Sequence, residues 1–143
     1  MNFCVKGFNE LSNIELYNIL KIRSEVFVVE QKCIYNDMDD ADIDSLHVFC
    51  KNGDNITACL RIIPLGDNEV KIGRVCSYEK RTGLGTELLK EGILASKEIM
   101  GAKKIIINAQ SYIKSFYAKQ GFVQTSDEFD EEGIPHVRME LAI

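Results

Sequence analysis

Apolar residues recur along this chain in two patterns, and each pattern predicts a different kind of element. Apolar runs that are uninterrupted, or that alternate with polar residues, are typical of strands. They predict strands at residues 3–7, 46–50, 56–63, 70–78, 104–109, 122–125 and 137–143. Asparagine and glycine at 52–55 predict a turn between the second and third strands, and 66–68 predict another before the fourth.

The first helical pattern begins at Ser12, because a serine followed three residues later by Glu15 makes a capping box. One face of this helix carries Leu16, Ile19, Leu20, Arg23 and Phe27. Since a buried charge without a partner is costly, we expect Arg23 to reach solvent, a partner or a ligand. The stretch 30–45 has no clear period and is rich in aspartate, which favours a solvated acidic loop over a binding face.

Two further helices are predicted in the second half of the chain, at 86–100 and, after a capping serine, at 111–121. In the second of them we expect Phe116 to face the core and the adjacent Tyr117 to face another way. The element order is β-α-loop-β-β-β-α-β-α-β-β. It predicts one α/β domain over residues 1–143, with a mixed sheet covered by helices on both faces.

Composition narrows the classes of partner. A net charge of −5 argues against a nucleic-acid partner, and no apolar run approaches the roughly 20 residues of a membrane span. The first residues lack the apolar segment of a signal peptide, so we expect a cytoplasmic protein with reduced cysteines. The five cysteines lack zinc-site spacing, and the aspartates at 40, 42 and 44 lack the glycine and glutamate of a calcium loop. We therefore expect no metal site.

The strand at 70–78 leads through Lys-Arg-Thr-Gly-Leu-Gly at 80–85 directly into a helix. Glycines let a backbone approach a ligand closely, and the free N–H groups at a helix start point toward an anion. This combination predicts a phosphate or pyrophosphate site, and a plain helix start with a tight turn is the alternative. The glycine spacing does not match a P-loop, and the bulky Leu88 does not match a dinucleotide-binding fingerprint.

The same loop resembles that of the GNAT superfamily of acyl-CoA-dependent N-acyltransferases, Gln/Arg-x-x-Gly-x-Gly/Ala, with Lys80 at the first position. A helix with Phe116 and Tyr117, followed by Gly121 and Phe122, is a second resemblance to this family. Four stretches are similar to its ElaA-like subgroup, at 23–31, 72–75, 108–110 and 132–136. The resemblance implies a central, mostly antiparallel sheet with splayed strands and with helices on both faces.

The resemblance also implies acetyl-CoA as the acyl donor. The splayed strand would offer its backbone to pantetheine, and the glycine loop would hold the pyrophosphate. Either Lys80 or Arg81 would supply the cationic side chain that contacts it. The implied cofactor contacts are Arg74, Val75, Cys76, Arg81, Thr82, Gly83, Leu84, Gly85, Thr86, Asn108, Ser115 and Tyr117.

The implied reaction moves an acetyl group from acetyl-CoA to a primary amine by direct attack. Tyr117 lies at the family's position for the acid that protonates the departing thiolate. The base stays open between Glu30, His47 and His136, and the Gly-Ile-Pro turn before it favours His136. Substrate contacts are expected from Arg23, Gln31, His47 and Gln110.

The acceptor is expected to be the amine of a small molecule or a peptide, without a nucleic-acid or membrane partner. The resemblance is compatible with a homodimer. A second hypothesis is a non-catalytic acyl-CoA-binding or sensing module, which would keep the glycine loop but lack a usable base and an acceptor pocket.

Overall fold

The computed structural model describes residues 2–32 and 35–143. Within them, three α-helices are α1 (Asn13–Arg23), α2 (Leu84–Glu98) and α3 (Lys114–Ala118). The strands of the described residues are β1 (Asn2–Gly7), β2 (Leu46–Asn52), β3 (Asn55–Gly66), β4 (Glu69–Ser77), β5 (Lys104–Gln110), β6 (Val123–Gln124), β7 (Phe129–Glu131) and β8 (Ile134–Ala142).

The strands form one sheet whose spatial order is β1-β2-β3-β4-β5-β8-β6, with β7 paired to β8. Paired strands run antiparallel except for β4 and β5, which are parallel. The mixed, mostly antiparallel sheet expected from the resemblance is therefore confirmed. In the part of the chain that the structure describes, no helix is both long and apolar enough to cross a bilayer.

The two parallel strands pair over a short distance and then separate. The last of their paired positions joins Lys71 to Ile106, whereas the strands themselves continue to Ser77 and Gln110. Arg74 adopts a left-handed φ of 52° in the region where the β3–β4 register shifts. Such a bulge bends a strand away from its neighbour. A space, called here the β4–β5 gap, opens between the far halves of the two strands.

Each face of the sheet has its own apolar core. The core under α2 and α3 includes Leu60, Ile72, Leu88, Leu89 and Ile105. Gly92 allows α2 to lie close to the sheet there, because an added Cβ would meet the Leu60 side chain at 2.9 Å. The core under α1 includes Ile19, Ile22, Val26, Phe49, Cys59 and Cys76. The β4–β5 gap therefore connects two faces that are otherwise separated by packed side chains.

The capping box of α1 is confirmed. Ser12 Oγ accepts a hydrogen bond from the Glu15 N–H, and the Glu15 carboxylate accepts one from the Ser12 N–H. The same carboxylate accepts hydrogen bonds from Lys6 on β1 and Lys51 on β2, each at 3.0 Å. Glu15 therefore joins the first turn of α1 to two strands of the sheet.

The predicted face of α1 is confirmed in part. Ile19 and Arg23 are buried as predicted, whereas Leu16 and Leu20 are only half-buried. Glu15 and Ile22, which the pattern did not place on this face, are buried as well. The chain then continues into a π-helical turn at Ser24–Glu30, which the apolar pattern did not predict.

The cysteines of the described residues are free thiols, as expected, and Cys50, Cys59 and Cys76 are buried. The Sγ atoms of Cys59 and Cys76 lie 3.5 Å apart across the β3–β4 pair. That contact and burial raise the pKa of Cys76. Cys33 lies outside the described residues.

We expect the Glu15→Gln variant to lose about 2 kcal/mol of unfolding free energy at pH 7. Burial opposes ionisation, but the bonds from Ser12, Lys6 and Lys51 outweigh it and lower the pKa of Glu15 to about 2. The stabilisation is therefore present above the unfolded pKa of about 4.3 and disappears as the pH falls toward 2. Urea denaturation at several pH values measures it.

The matched control is Glu98→Gln, an exposed position at the end of α2, which should change stability by less than about 0.5 kcal/mol. A Glu15→Gln loss that stayed constant from pH 7 to pH 2 would contradict the assignment.

Candidate active site

The glycine loop between β4 and α2 has the left-handed turns that its sequence predicts. Gly83 immediately precedes α2 with a φ of 85°, and Arg81 has a φ of 63°. Within the described residues, the N–H groups of Gly85 and Thr86 find no acceptor. A helix start with free N–H groups and local cations suits a phosphate.

The structure separates the two candidate cations of this loop. Lys80 Nζ lies 3.1 Å from a carboxylate oxygen of Glu30, in an exposed ion pair. Arg81 is exposed and forms no ion pair with any described residue. Of the two, Arg81 is the one whose charge is uncommitted. The same contact engages Glu30, one of the three candidate bases.

Tyr117 is buried on α3, whereas Phe116 is only partly buried and packs beside Gly85. The expectation that Phe116 is the core residue of the pair is therefore wrong. The reason is that the Tyr117 ring packs edge-on against both Phe116 and Phe122, with centroids 5.0 and 6.0 Å away. Burial raises the pKa of Tyr117 above that of a free tyrosine, so its hydroxyl keeps its proton at neutral pH.

The two serines near α3 have different environments. Ser115 is exposed on the helix that carries Phe116. Ser111 was expected to cap this helix, and that expectation is wrong, because the chain first makes a 3₁₀ turn at Ser111–Ile113. The Ser111 Oγ is buried and finds no hydrogen-bond partner within the described residues.

On the opposite face, Arg23 is the centre of a buried ion-pair network. Its guanidinium donates to both carboxylate oxygens of Asp42, at 2.7 and 3.1 Å, and to the Asp37 carboxylate at 2.9 Å. Arg23 is 1% exposed, and the aspartates of the same chain are the partners that a buried arginine requires. Burial alone would raise the pKa of Asp42, but the arginines lower it.

Arg61 joins the same network from β3. It donates to both carboxylate oxygens of Asp39, at 2.7 and 2.8 Å, and to Asp42 at 3.3 Å. These hydrogen bonds hold the pKa of Asp39 well below its usual range. His47 is buried beside them and donates from Nε2 to the Asp42 carbonyl oxygen at 2.9 Å. Burial lowers the pKa of His47, which favours the neutral ring.

Arg74 links this network to the β4–β5 gap. It donates to the Asp37 carboxylate at 2.9 Å and to the Asp37 carbonyl oxygen at 3.1 Å. Its guanidinium also lies 5.2 Å from the centre of the Tyr35 ring. The expectation that the acidic stretch is a solvated loop is therefore wrong for residues 35–44. These residues are bound to three arginines of the sheet and of α1.

Two expected substrate contacts, Arg23 and His47, have structural partners instead and are almost completely buried. The other two are brought together, because Gln110 donates to the Gln31 side chain at 3.2 Å. This bond joins the end of the π-helical turn to the end of β5, at the edge of the β4–β5 gap.

His136 lies next to these amides, because β8 places it directly opposite Gln110. Its Nδ1 donates to the Ile134 carbonyl oxygen at 2.7 Å, and its Nε2 lies 3.4 Å from a carboxylate oxygen of Glu131. The side-chain amide of Asn108 donates to the other oxygen of Glu131 at 3.4 Å. Asn108, an expected cofactor contact, therefore lies on the same face as His136 and not beneath α2.

Glu131 was missed by the sequence interpretation. No strand was predicted between residues 125 and 137, but Phe129–Glu131 forms β7 against β8. Glu132 and Gly133 have φ values of 53° and 78°, which make the two-residue turn of a tight hairpin. Gly133, before Ile134, is a local turn signal at this position.

The chain was compared with known families and proteins. A model of the acetyltransferase (GNAT) domain matches residues 12–143. A UPF0039 protein of Schizosaccharomyces pombe is 37% identical over 147 aligned residues, covering 100% of this chain and 98% of that protein.

Two crystal structures have the same fold over nearly their whole length. One is an acyl-CoA N-acyltransferase from Pseudomonas aeruginosa, with a TM-score of 0.93, 32% identity and coverage of 99% and 100% of the two chains. The other is Escherichia coli ElaA, with a TM-score of 0.92, 30% identity and coverage of 98% and 99%. With the glycine loop and the separated strands, these matches show that the chain belongs to the GNAT family of N-acetyltransferases, in its ElaA-like subgroup.

Proposed function

We propose that the protein transfers an acetyl group from acetyl-CoA to a primary amine of a small molecule or a peptide. The β4–β5 gap carries this proposal, because it joins the glycine loop on one face to a polar cluster on the other. A thioester that enters from the α2 side would meet an amine that enters from the α1 side. The name of the related Pseudomonas acyl-CoA N-acyltransferase supports the choice of donor.

The glycine loop and β4 would bind the donor. The free N–H groups of Gly85 and Thr86, together with the Arg81 side chain, would hold the pyrophosphate. Beyond Lys71, the β4 backbone that faces β5 has no strand partner among the described residues, so it is free to bind pantetheine. Ser115 is exposed on α3, whose Phe116 packs beside the loop, and it would contact the donor from that side.

The chemical step is a direct attack of the amine nitrogen on the thioester carbon. A new C–N bond forms, the C–S bond breaks, and the thiolate leaves with the electron pair. Within Arg74, Val75 and Cys76, the backbone N–H groups that point toward β5 rather than toward β3 would polarise the carbonyl oxygen. Tyr117 would then protonate the sulfur, and its position supports this role because its ring packs against Phe116, which lies beside Gly85 of the glycine loop.

The attacking amine must first lose a proton, since an alkylammonium has no lone pair. Of the candidate bases, His47 donates to a backbone carbonyl within the ion-pair network, and Glu30 pairs with Lys80. His136 lies at the edge of the gap with its Nε2 directed toward Glu131. We therefore assign the base role to His136.

The Tyr117→Phe variant should lower kcat by about 100-fold, because the thiolate would leave without a positioned acid. Acetyl-CoA binding should change little, since the ring and its packing are kept. Amine-dependent release of CoA thiol measures kcat, and calorimetric titration measures the affinity for acetyl-CoA. Tyr112→Phe is the matched control, because Tyr112 is 70% exposed.

Equal turnover by Tyr117→Phe and the wild type at every pH would contradict the acid role. A wild type that binds acetyl-CoA but acetylates no amine in a broad screen would instead favour a non-catalytic acyl-CoA-binding module.

The Gly83→Ala variant should weaken acetyl-CoA binding about tenfold, because a side chain at its φ of 85° strains the loop by roughly 1–2 kcal/mol and displaces the donating N–H groups. Gly53→Ala is the matched control. Gly53 has a φ of 64° in the β2–β3 turn, and neither glycine has an atom within 4 Å of an added Cβ. Titration with acetyl-CoA checks the result, and equal affinities of the two variants would contradict the site.

A further inference from the structure

The β7–β8 hairpin places two proton acceptors against each other beside the gap. His136 Nδ1 must donate its proton to the Ile134 carbonyl oxygen, 2.7 Å away, because a carbonyl oxygen only accepts. A neutral His136 therefore carries its lone pair on Nε2. That lone pair lies 3.4 Å from Glu131 Oε2, which also only accepts.

Two acceptors at this separation attract each other only when a proton or a donor lies between them. The 3.4 Å distance is longer than the usual N–H···O hydrogen bond of about 2.9 Å, so the pair is not closed in this conformation. A donor nitrogen could, however, lie about 2.9 Å from both atoms at once. The geometry thus fits a ligand that brings several N–H groups on one cationic nitrogen.

The surroundings keep this pair in place. The His136 side chain is 9% exposed, and the Phe129 ring stacks on it at a centroid distance of 6.1 Å. Asn108 donates to the other Glu131 oxygen, which leaves Oε2 as the oxygen that faces His136. The Glu131 side chain is 44% exposed, so one side of the pair stays open to a ligand.

The charge balance of this face also singles out Glu131. Asp37, Asp39 and Asp42 are each bound by arginine side chains. Glu30 is paired with Lys80. Within the described residues, Glu131 pairs with no lysine or arginine, and its one ionic contact is His136. An uncompensated carboxylate beside the gap attracts a cation.

We propose that Glu131 and His136 together bind the acceptor as an ammonium ion, so that the substrates are alkyl primary amines that are protonated in solution. This inference rests on the proposed function and deepens it. The ammonium donates to Glu131 Oε2 and to His136 Nε2, and one of its protons then moves to Nε2. The resulting imidazolium N–H donates to Glu131, and the neutral amine keeps the lone pair that attacks the thioester.

Steady-state kinetics with two acceptor classes tests the proposal. For an alkylammonium acceptor such as n-butylamine, Glu131→Gln should raise KM about 30-fold, and Glu131→Asp should recover part of that loss. For aniline, whose amine is neutral at pH 7, Glu131→Gln should change KM less than threefold. Acetyl-CoA affinity should be unchanged in both variants. Glu128→Gln, an exposed carboxylate just before β7, is the matched control and should behave as the wild type.

A measurement without turnover makes the test independent of the chemical step. Titration of the wild type with n-butylammonium chloride should shift the ¹⁵N resonance of His136 Nε2, and Glu131→Gln should weaken that titration at least tenfold. Glu128→Gln should titrate as the wild type does.

The possible results distinguish a failure of the ammonium site from a failure of the proposed transferase activity. If the wild type acetylates alkylamines but Glu131→Gln raises KM equally for n-butylamine and aniline, or for neither, the ammonium site is wrong and the transferase stands. If acetyl-CoA binds but no amine of either class is acetylated and n-butylammonium does not shift His136, both proposals fail.

Discussion

The short parallel contact between β4 and β5 is the constraint on which the rest of the molecule depends. A parallel pair of full length would close the sheet and leave no route between its faces. Because pairing stops where Lys71 meets Ile106, both strands carry unpaired backbone into the same space. Unpaired backbone groups are costly when buried, so the gap favours a ligand that can hydrogen-bond to peptide groups. Pantetheine, with its amides, is a ligand of that kind.

The gap in turn depends on what holds β4 in its bent course. Arg74 has a left-handed φ, and its guanidinium is bound to both the side chain and the backbone of Asp37. Asp37 is also held by Arg23, which is anchored by Asp42. Charges buried this deeply contribute less net stability than their contacts suggest, because desolvation offsets the attraction. Their clearer effect is positional, since removing one partner would leave another buried charge unpaired.

How much of this could be read from the sequence follows from the range of each interaction. The capping box at Ser12 and the glycine loop are local, so neighbouring residues predicted both. Arg23 was recognised as needing a partner, but its aspartates lie 14 and 19 residues away in a stretch without periodicity. Nothing local assigns such pairs. The burial of Glu15 was missed for the same reason, because its carboxylate is held by lysines from two strands.

The hairpin at β7 shows a different limit. A strand of three residues gives too short an alternation to stand out in an acidic stretch, so no strand was predicted at Glu131. Pairing of β7 with β8 places Glu131 beside His136, whose Nδ1 already donates to the Ile134 carbonyl oxygen.

The aspartates of 35–44 and the glutamate of β7 have the same charge in the sequence but different physical roles in the fold. Arginines compensate Asp37, Asp39 and Asp42, which therefore shape β4 without attracting a cation. Glu131 lacks such compensation among the described residues, and its ionic contact is with His136, which lies opposite Gln110 at the end of β5. Charge composition alone could not distinguish the two groups, since only the fold shows which carboxylates are paired with arginines and which are not.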